Sequence, residues 1–216
     1  MPDKDRKLTA IDRLIAGFDH AVKTVSAEHK TALRESPAQP VPDTTLDDSE
    51  RRHISGLMRV NHTGEVCAQA LYLGQAVTAR DNDVRQKLHE AAVEEEDHLA
   101  WCEERLHQLN SRPSVLNPVF YGLSFGLGAL TGLAGDKISM GFVAATEDQV
   151  CEHLQSHLEQ LPEDDQKSHA ILSQMLDDEA RHASKALDAG GVEFKPAVKS
   201  LMSAISTVMT KTTYRV

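Results

Sequence analysis

Two short segments, "EEEDHL" at residues 94–99 and "DDEARH" at residues 177–182, each set a glutamate three residues ahead of a histidine. Each also puts a second carboxylate directly before that glutamate, so Glu94 precedes Glu95 and Asp178 precedes Glu179. Residues i and i+3 share one face of a helix, so Glu95 with His98, and Glu179 with His182, point one carboxylate and one imidazole the same way. In an antiparallel helical hairpin, residues equidistant from the turn lie at one height. A turn at "RDND", centred near Asp81, sets Glu95 opposite residue 66 or 67, next to Glu65; a turn at "LPEDD", centred near Glu163, sets Glu179 opposite Glu147. The separations are 30 residues from Glu65 to Glu95 and 32 from Glu147 to Glu179. The same half-site therefore occurs twice, which requires two hairpins that face each other.

The rest of the chain supplies helices to carry those hairpins. Only 4% of its residues are aromatic, and helix formers dominate. Periodic patterns predict helices over about 49–79, 84–110, 139–160 and 165–189, with Gly190 and Gly191 as a C-terminal cap. A last helix is expected over 195–210, with Pro196 at its first turn. Ahead of the bundle, Leu8, Ile11, Leu14, Ile15, Phe18, Val22 and Val25 form the stripe of an amphipathic arm over 1–35. Pro37, Pro40 and Pro42 then mark a linker over 36–48, so the main domain spans 49–216. The fold class expected is all-α, a four-helix bundle with N-terminal and C-terminal accessory helices.

Between the second and third bundle helices lies a crossover, 111–137, in which Pro113 to Gly135 carries no charge over 23 positions. That length suffices for a membrane span, but five glycines and two prolines dilute its hydrophobicity. A single crossing would also strand the two hairpins on opposite sides of the bilayer. The expectation is a connection lying along the bundle, with Leu123, Leu127 and Leu130 as an apolar stripe.

Four carboxylates and two imidazoles suit a pair of iron or manganese ions bridged by shared carboxylates. Zinc more often recruits histidine or cysteine, and calcium does not select imidazole. One glutamate from each of two helices and Glu-x-x-His from the other two is the ligand pattern of ferritin-like carboxylate bundles. The candidate ligands are Glu65, Glu95, His98, Glu147, Glu179 and His182. A metal-bound imidazole needs its other nitrogen oriented, usually by a carboxylate. Glu94 and Asp178 are placed to do this for the histidine of the opposite hairpin, and Arg181 to balance charge beside the bridging carboxylates. His153, six residues after Glu147, is a candidate for the shell around the ligands. His62, His89, His107, His157 and His169 are expected at the surface or at caps, and Cys102 and Cys151 as small core residues. With Cys67 these make three widely spaced cysteines and no CxxC pair, which excludes a disulfide framework or zinc ribbon. A net charge of -10 without a basic face excludes nucleic acid. "MPDKDRKLTA" has no apolar core of a secretory signal, so a cytoplasmic setting is expected.

"LMRVNHTGEVCAQALYLGQA", "EEEDHL", "ATEDQVCEHL" and "DDEARH" together resemble the bacterial demethoxyubiquinone hydroxylases, di-iron enzymes of late ubiquinone biosynthesis. The resemblance runs from about Arg51 to the C-terminus. It implies iron ligands at Glu65, Glu95, His98, Glu147, Glu179 and His182, with two iron ions and O2 as co-substrate. It further implies ring hydroxylation of a polyprenylated methoxy-methyl-benzoquinol, demethoxyubiquinol to demethylubiquinol. The family's histidine beyond the third-helix ligand falls on His153, and Leu154 stands where some members carry tyrosine. A ferritin-like iron-storage or peroxide-scavenging protein is the alternative; it would share the ligands but not require the uncharged crossover. After Glu193 the chain has Lys195, Lys199, Lys211 and Arg215 and no acid. A basic amphipathic helix fits peripheral contact with the cytoplasmic face of the cell membrane, or packing on the bundle. Other ubiquinone-biosynthesis proteins or a second copy of the chain are further expected partners.

Overall fold

The computed structural model describes Thr24 and residues 32–216, and those residues form six α-helices and no strand beyond Thr24. They are α1 (Asp48–Thr78), α2 (Asn82–Gln108), α3 (Asn117–Ala134), α4 (Asp136–Gln160), α5 (Gln166–Asp188) and α6 (Pro196–Thr213). Most of the expected arm over 1–35, with its stripe from Leu8 to Val25, lies outside the described residues; its last residues, 32–35, are irregular rather than helical. Helix ends follow local chemistry. Asp47 caps α1 by accepting from the Ser49 and Glu50 amides at 2.7 and 2.8 Å, while Glu50 accepts from the Asp47 amide at 2.9 Å. At the end of α5 the Gly190 amide donates to the Leu187 carbonyl and the Gly191 amide to that of Ala186. This closure needs the left-handed backbone that Gly190 adopts, with φ of 92°.

α1 pairs with α2, and α4 with α5, giving the two antiparallel hairpins. Two apolar clusters fill the bundle. One joins Ile54, Met58, Trp101, Leu106, Leu154 and Leu172; the other joins Tyr72, Ala76, Leu88, Met140, Val143 and Ala186. The first gathers the start of α1 with the end of α2, the second the opposite ends; between them lie the acids and histidines, flanked toward α3 by a small third cluster of Val66, Ala70, Leu99 and Tyr121. The segment at 36–48 is not a loose tether: Ala38 and Leu46 are buried in the first cluster.

The crossover is itself helical. The end of α2 and the start of α4 lie at opposite ends of the bundle, and the 18 residues of α3 bridge about 27 Å. α3 packs on α1 through glycine: a Cβ at Gly128 would stand 2.2 Å from the Leu71 carbonyl oxygen, and one at Gly74 2.2 Å from that of Phe125. Its larger residues, Val119, Leu123, Leu127, Leu130 and Leu133, are exposed. α6 likewise turns Met202, Ser206, Met209 and Thr213 toward the bundle and leaves Leu201, Ile205 and Val208 exposed. No helix among the described residues is long and apolar enough to cross a membrane.

Candidate metal centre

Glu65, Glu95, His98 and Glu179 converge midway along the bundle, with one ligand atom of each within 4.8 Å of all the others. All four are buried. His98 Nδ1 stands 3.0 Å from Glu95 Oε2, 3.0 Å from Glu179 Oε1 and 3.8 Å from Glu65 Oε2. His182 mirrors it, its Nδ1 lying 3.2 Å from Glu95 Oε1 and 3.0 Å from Glu179 Oε2. Glu95 and Glu179 thus each face both imidazoles. Glu147 is buried beside them but turns one oxygen to the hydroxyl of Tyr72, which donates to it.

The outer ring nitrogens meet acids from the opposite hairpin. His98 Nε2 lies 2.9 Å from Asp178 Oδ2, and His182 Nε2 lies 2.7 Å from Glu94 Oε2. A carboxylate can only accept, so each Nε2–H donates outward and each Nδ1 is left facing the cluster. Arg181 meets Asp178 and the Asp177 carbonyl rather than the inner carboxylates. His153 does not join the cluster: its Nε2 faces Ser206 Oγ at 3.2 Å, on α6. His62 and His157, expected at the surface, are buried. His157 donates from Nδ1 to Asn61 at 2.8 Å, and the Asn117 amide group meets His62 at 3.3 Å, so a polar partner inside the bundle replaces water. Cys102 is buried and Cys151 half-buried, both as free thiols.

Electrostatics reflect the crowding. Burial, then the charges of Glu95 and Glu179, push the Glu65 and Glu147 carboxyls well above the carboxylate range. Burial pushes Glu95 up as well, but the two imidazoliums outweigh it and hold it low. Burial works against charge on His182 too, yet Glu179 and Glu95 raise it to about 12. The carboxylates thus favour charge on the two imidazoles, and the imidazoles favour charge on Glu95.

The donor set fits a metal pair. Glu95 Oε1 and Glu179 Oε1 are buried without a well-formed hydrogen bond, although an imidazole nitrogen stands 3.2 Å from one and 3.0 Å from the other. The ring nitrogens bond instead to the other oxygens, His98 Nδ1 to Glu95 Oε2 and His182 Nδ1 to Glu179 Oε2, both at 3.0 Å, so these two buried Oε1 atoms keep lone pairs that a cation can take. Oxygen-rich sites with one imidazole per position suit iron or manganese.

Sequence reasoning missed three residues here. Tyr72 is seven residues after Glu65, two helical turns along the same face, which is the signal that marks it. Arg34 and Asp97 carry no such mark. Arg34 belongs to the irregular segment before α1, and its guanidinium bridges Asp97 at 2.7 Å and Asp178 at 2.8 Å.

Comparison with known proteins gives consistent results. The family profile described as "Ubiquinone biosynthesis protein COQ7" matches residues 52–213. The 3-demethoxyubiquinol 3-hydroxylase of Azotobacter vinelandii is 59% identical over 212 residues, 98% of this chain and 99% of that protein. Those of Pseudomonas putida and Pseudomonas fluorescens are each 58% identical, over 98% of this chain and 99% and 98% of theirs. Among solved structures, a dodecameric thioferritin, the bacterioferritin-related protein of Bacteroides fragilis, matches with a TM-score of 0.54 at 16% identity. It covers 67% of this chain and 86% of that one, a likeness of fold alone.

Proposed function

The chain belongs to the family of ubiquinone biosynthesis protein COQ7, and from that membership we propose what its buried cluster holds and how the surrounding residues serve it. The reaction is hydroxylation of the ring of a demethoxyubiquinol in ubiquinone biosynthesis, a monooxygenase reaction. Storage of iron or scavenging of peroxide gives way to this activity, which three relatives at 58–59% identity carry in their names. Glu65, Glu95, His98, Glu147, Glu179 and His182 hold two iron ions, which when bound supply the chemistry that turns O2 on the quinol ring.

The chain's own contribution is orientation and exclusion. Asp178 and Glu94 fix the imidazoles with Nδ1 inward. Tyr72 holds one oxygen of Glu147 and leaves the other for a ligand bond. The apolar clusters above and below the acids and histidines limit water there, which strengthens each charge contact between them. One observation carries the reading: both imidazoles present Nδ1 to the same two carboxylates, Glu95 and Glu179, one from each hairpin. Anaerobic reloading of metal-depleted protein with Fe(II) tests it. Two irons per chain and restored quinol hydroxylation are expected; activity that survives complete iron removal overturns it.

The quinol substrate carries a polyprenyl tail, and the working position is peripheral, at the cytoplasmic face of the cell membrane. The exposed leucines of α3 and the apolar face of α6 support this, with Lys195, Lys211 and Arg215 near the latter. Each basic residue at an anionic surface contributes about 1 kcal/mol. Wild-type protein should float with anionic liposomes, and Leu123→Glu/Leu127→Glu should float less. Equal flotation of the two would exclude α3 from the contact.

A further inference from the structure

Arg34 lies ahead of the residues matched by the family profile, 52–213, and outside every helix, yet its side chain reaches the edge of the cluster. Nε donates to Asp97 Oδ2 at 2.7 Å and Nη1 to Asp178 Oδ2 at 2.8 Å. Its guanidinium lies over the Trp101 ring, 4.8 Å from the centroid. Asp97 grips the backbone too, accepting from the Leu33 amide at 2.6 Å and the Arg34 amide at 3.3 Å, and Trp101 Nε1 donates to the Arg34 carbonyl at 3.4 Å. The side chain is therefore held at both ends. It ties α2, which carries Asp97, His98 and Trp101, to α5, which carries Asp178.

The atom it holds is the one that matters to the cluster. Asp178 Oδ2 accepts from Arg34 and from His98 Nε2, so the guanidinium sets the direction of the carboxylate that sets the direction of the imidazole. Among the described residues no guanidinium reaches the corresponding acid on the other side: Glu94 has Lys185 at 3.5 Å, and its side chain is 39% exposed.

We infer that Arg34 is a positioning residue for the hydroxylation site, which fixes the His98–Asp178 pair from outside the helical bundle. It makes the His98 side of the cluster more rigid than the His182 side. The planar fork is what permits this, since it spans two carboxylates at fixed angles where an ammonium would act as a point charge. The inference rests on the metal-holding role proposed above for its consequence in metal affinity, but the positioning itself is visible without metal.

Two readouts on full-length protein separate these levels. In metal-depleted, 15N-histidine-labelled protein, the His98 Nε2–H signal should be protected from water exchange. It should broaden in Arg34→Met and recover only in part in Arg34→Lys. Asp97→Asn, which loosens Arg34 from its far end, should act in the same direction, and circular dichroism should find every variant helical. In cobalt(II) titrations, Arg34→Met should weaken one of two binding steps by about 10- to 100-fold and leave the other unchanged. Lys185→Met should leave the Arg34-dependent step alone. If wild type binds no cobalt while the His98 signal still depends on Arg34, positioning stands and the metal reading falls. If cobalt binding and the His98 signal are the same in wild type and Arg34→Met, the inference is overturned.

Discussion

The two halves of the cluster match closely at their centre and differ at their rim. Each Nδ1 sits about one hydrogen-bond length from the same two carboxylates, at 3.0 and 3.0 Å for His98 and at 3.2 and 3.0 Å for His182. Beyond the rings the likeness ends. Asp178 is fully buried and is met by Arg34, Arg181 and Gln174, whereas Glu94 is partly open to water with one distant lysine. The single glutamates differ as well, since Glu147 has the Tyr72 hydroxyl whereas Glu65, among the described residues, faces His98 at 3.8 Å. A repeated sequence motif thus yields equal ligands in unequal surroundings. A buried acid fixed by two guanidiniums orients its imidazole more firmly than one partly solvated by water, so the two positions need not bind or react alike.

The largest effect tests what the halves share. Glu95→Ala and Glu179→Ala should each lose most of the bound iron and abolish hydroxylation, because each carboxylate faces both imidazoles; full iron retention in both would break the common centre. Next come the acids that differ. Asp178→Asn and Glu94→Gln should both lower iron affinity or turnover, in the range of about 10- to 100-fold, with the buried aspartate nearer the upper end. Equal losses would abolish the distinction between the halves. Metal loading offers a finer measure. Burial disfavours charge on His98 and His182, but the neighbouring carboxylates raise both imidazoles, so metal binding at Nδ1 should release protons, read from titration calorimetry in buffers of different ionisation heat.

Tyr72→Phe probes the single glutamates: it leaves the buried Glu147 oxygen without its donor and should cost about 1–3 kcal/mol in the metal-loaded protein. No tyrosine stands at Glu65 to give an equivalent loss. A group outside both halves gives the smallest effect. Burial, then the neighbouring His153 and His53, lowers the His157 pKa to about 4. Its neutral form stabilises the fold above the ordinary histidine value, and that stability is lost as pH falls toward 4. Between pH 7 and 5.5 the metal-free protein should lose about 1 kcal/mol that His157→Gln does not.

The centre of this site was legible because it obeys helical arithmetic. Hairpin symmetry located Glu65 and Glu147, and the doubled acids located Glu94 and Asp178, all from spacing on regular helices. Arg34 was not legible, because an irregular segment has no period from which to infer its direction. Tyr72 was hidden differently. Its place two turns after Glu65 was readable, but a buried tyrosine at helical spacing is equally a core residue. His157 and His62 failed because a lone histidine on a helix gives no sign of the asparagine that awaits it. For α3, counting leucines identified an apolar face, but only the three-dimensional path shows that Gly128 and Gly132 face α1.

That glycine seam has a mechanical consequence. Between α3 and α1 there is no cushion of side chains at Gly74 and Gly128, only backbone against backbone. Soft layers absorb small displacements by rotamer change; a seam of this kind has almost none to spend. At these contacts α3 cannot move closer without moving the backbone of α1, the helix that carries both Glu65 and Tyr72.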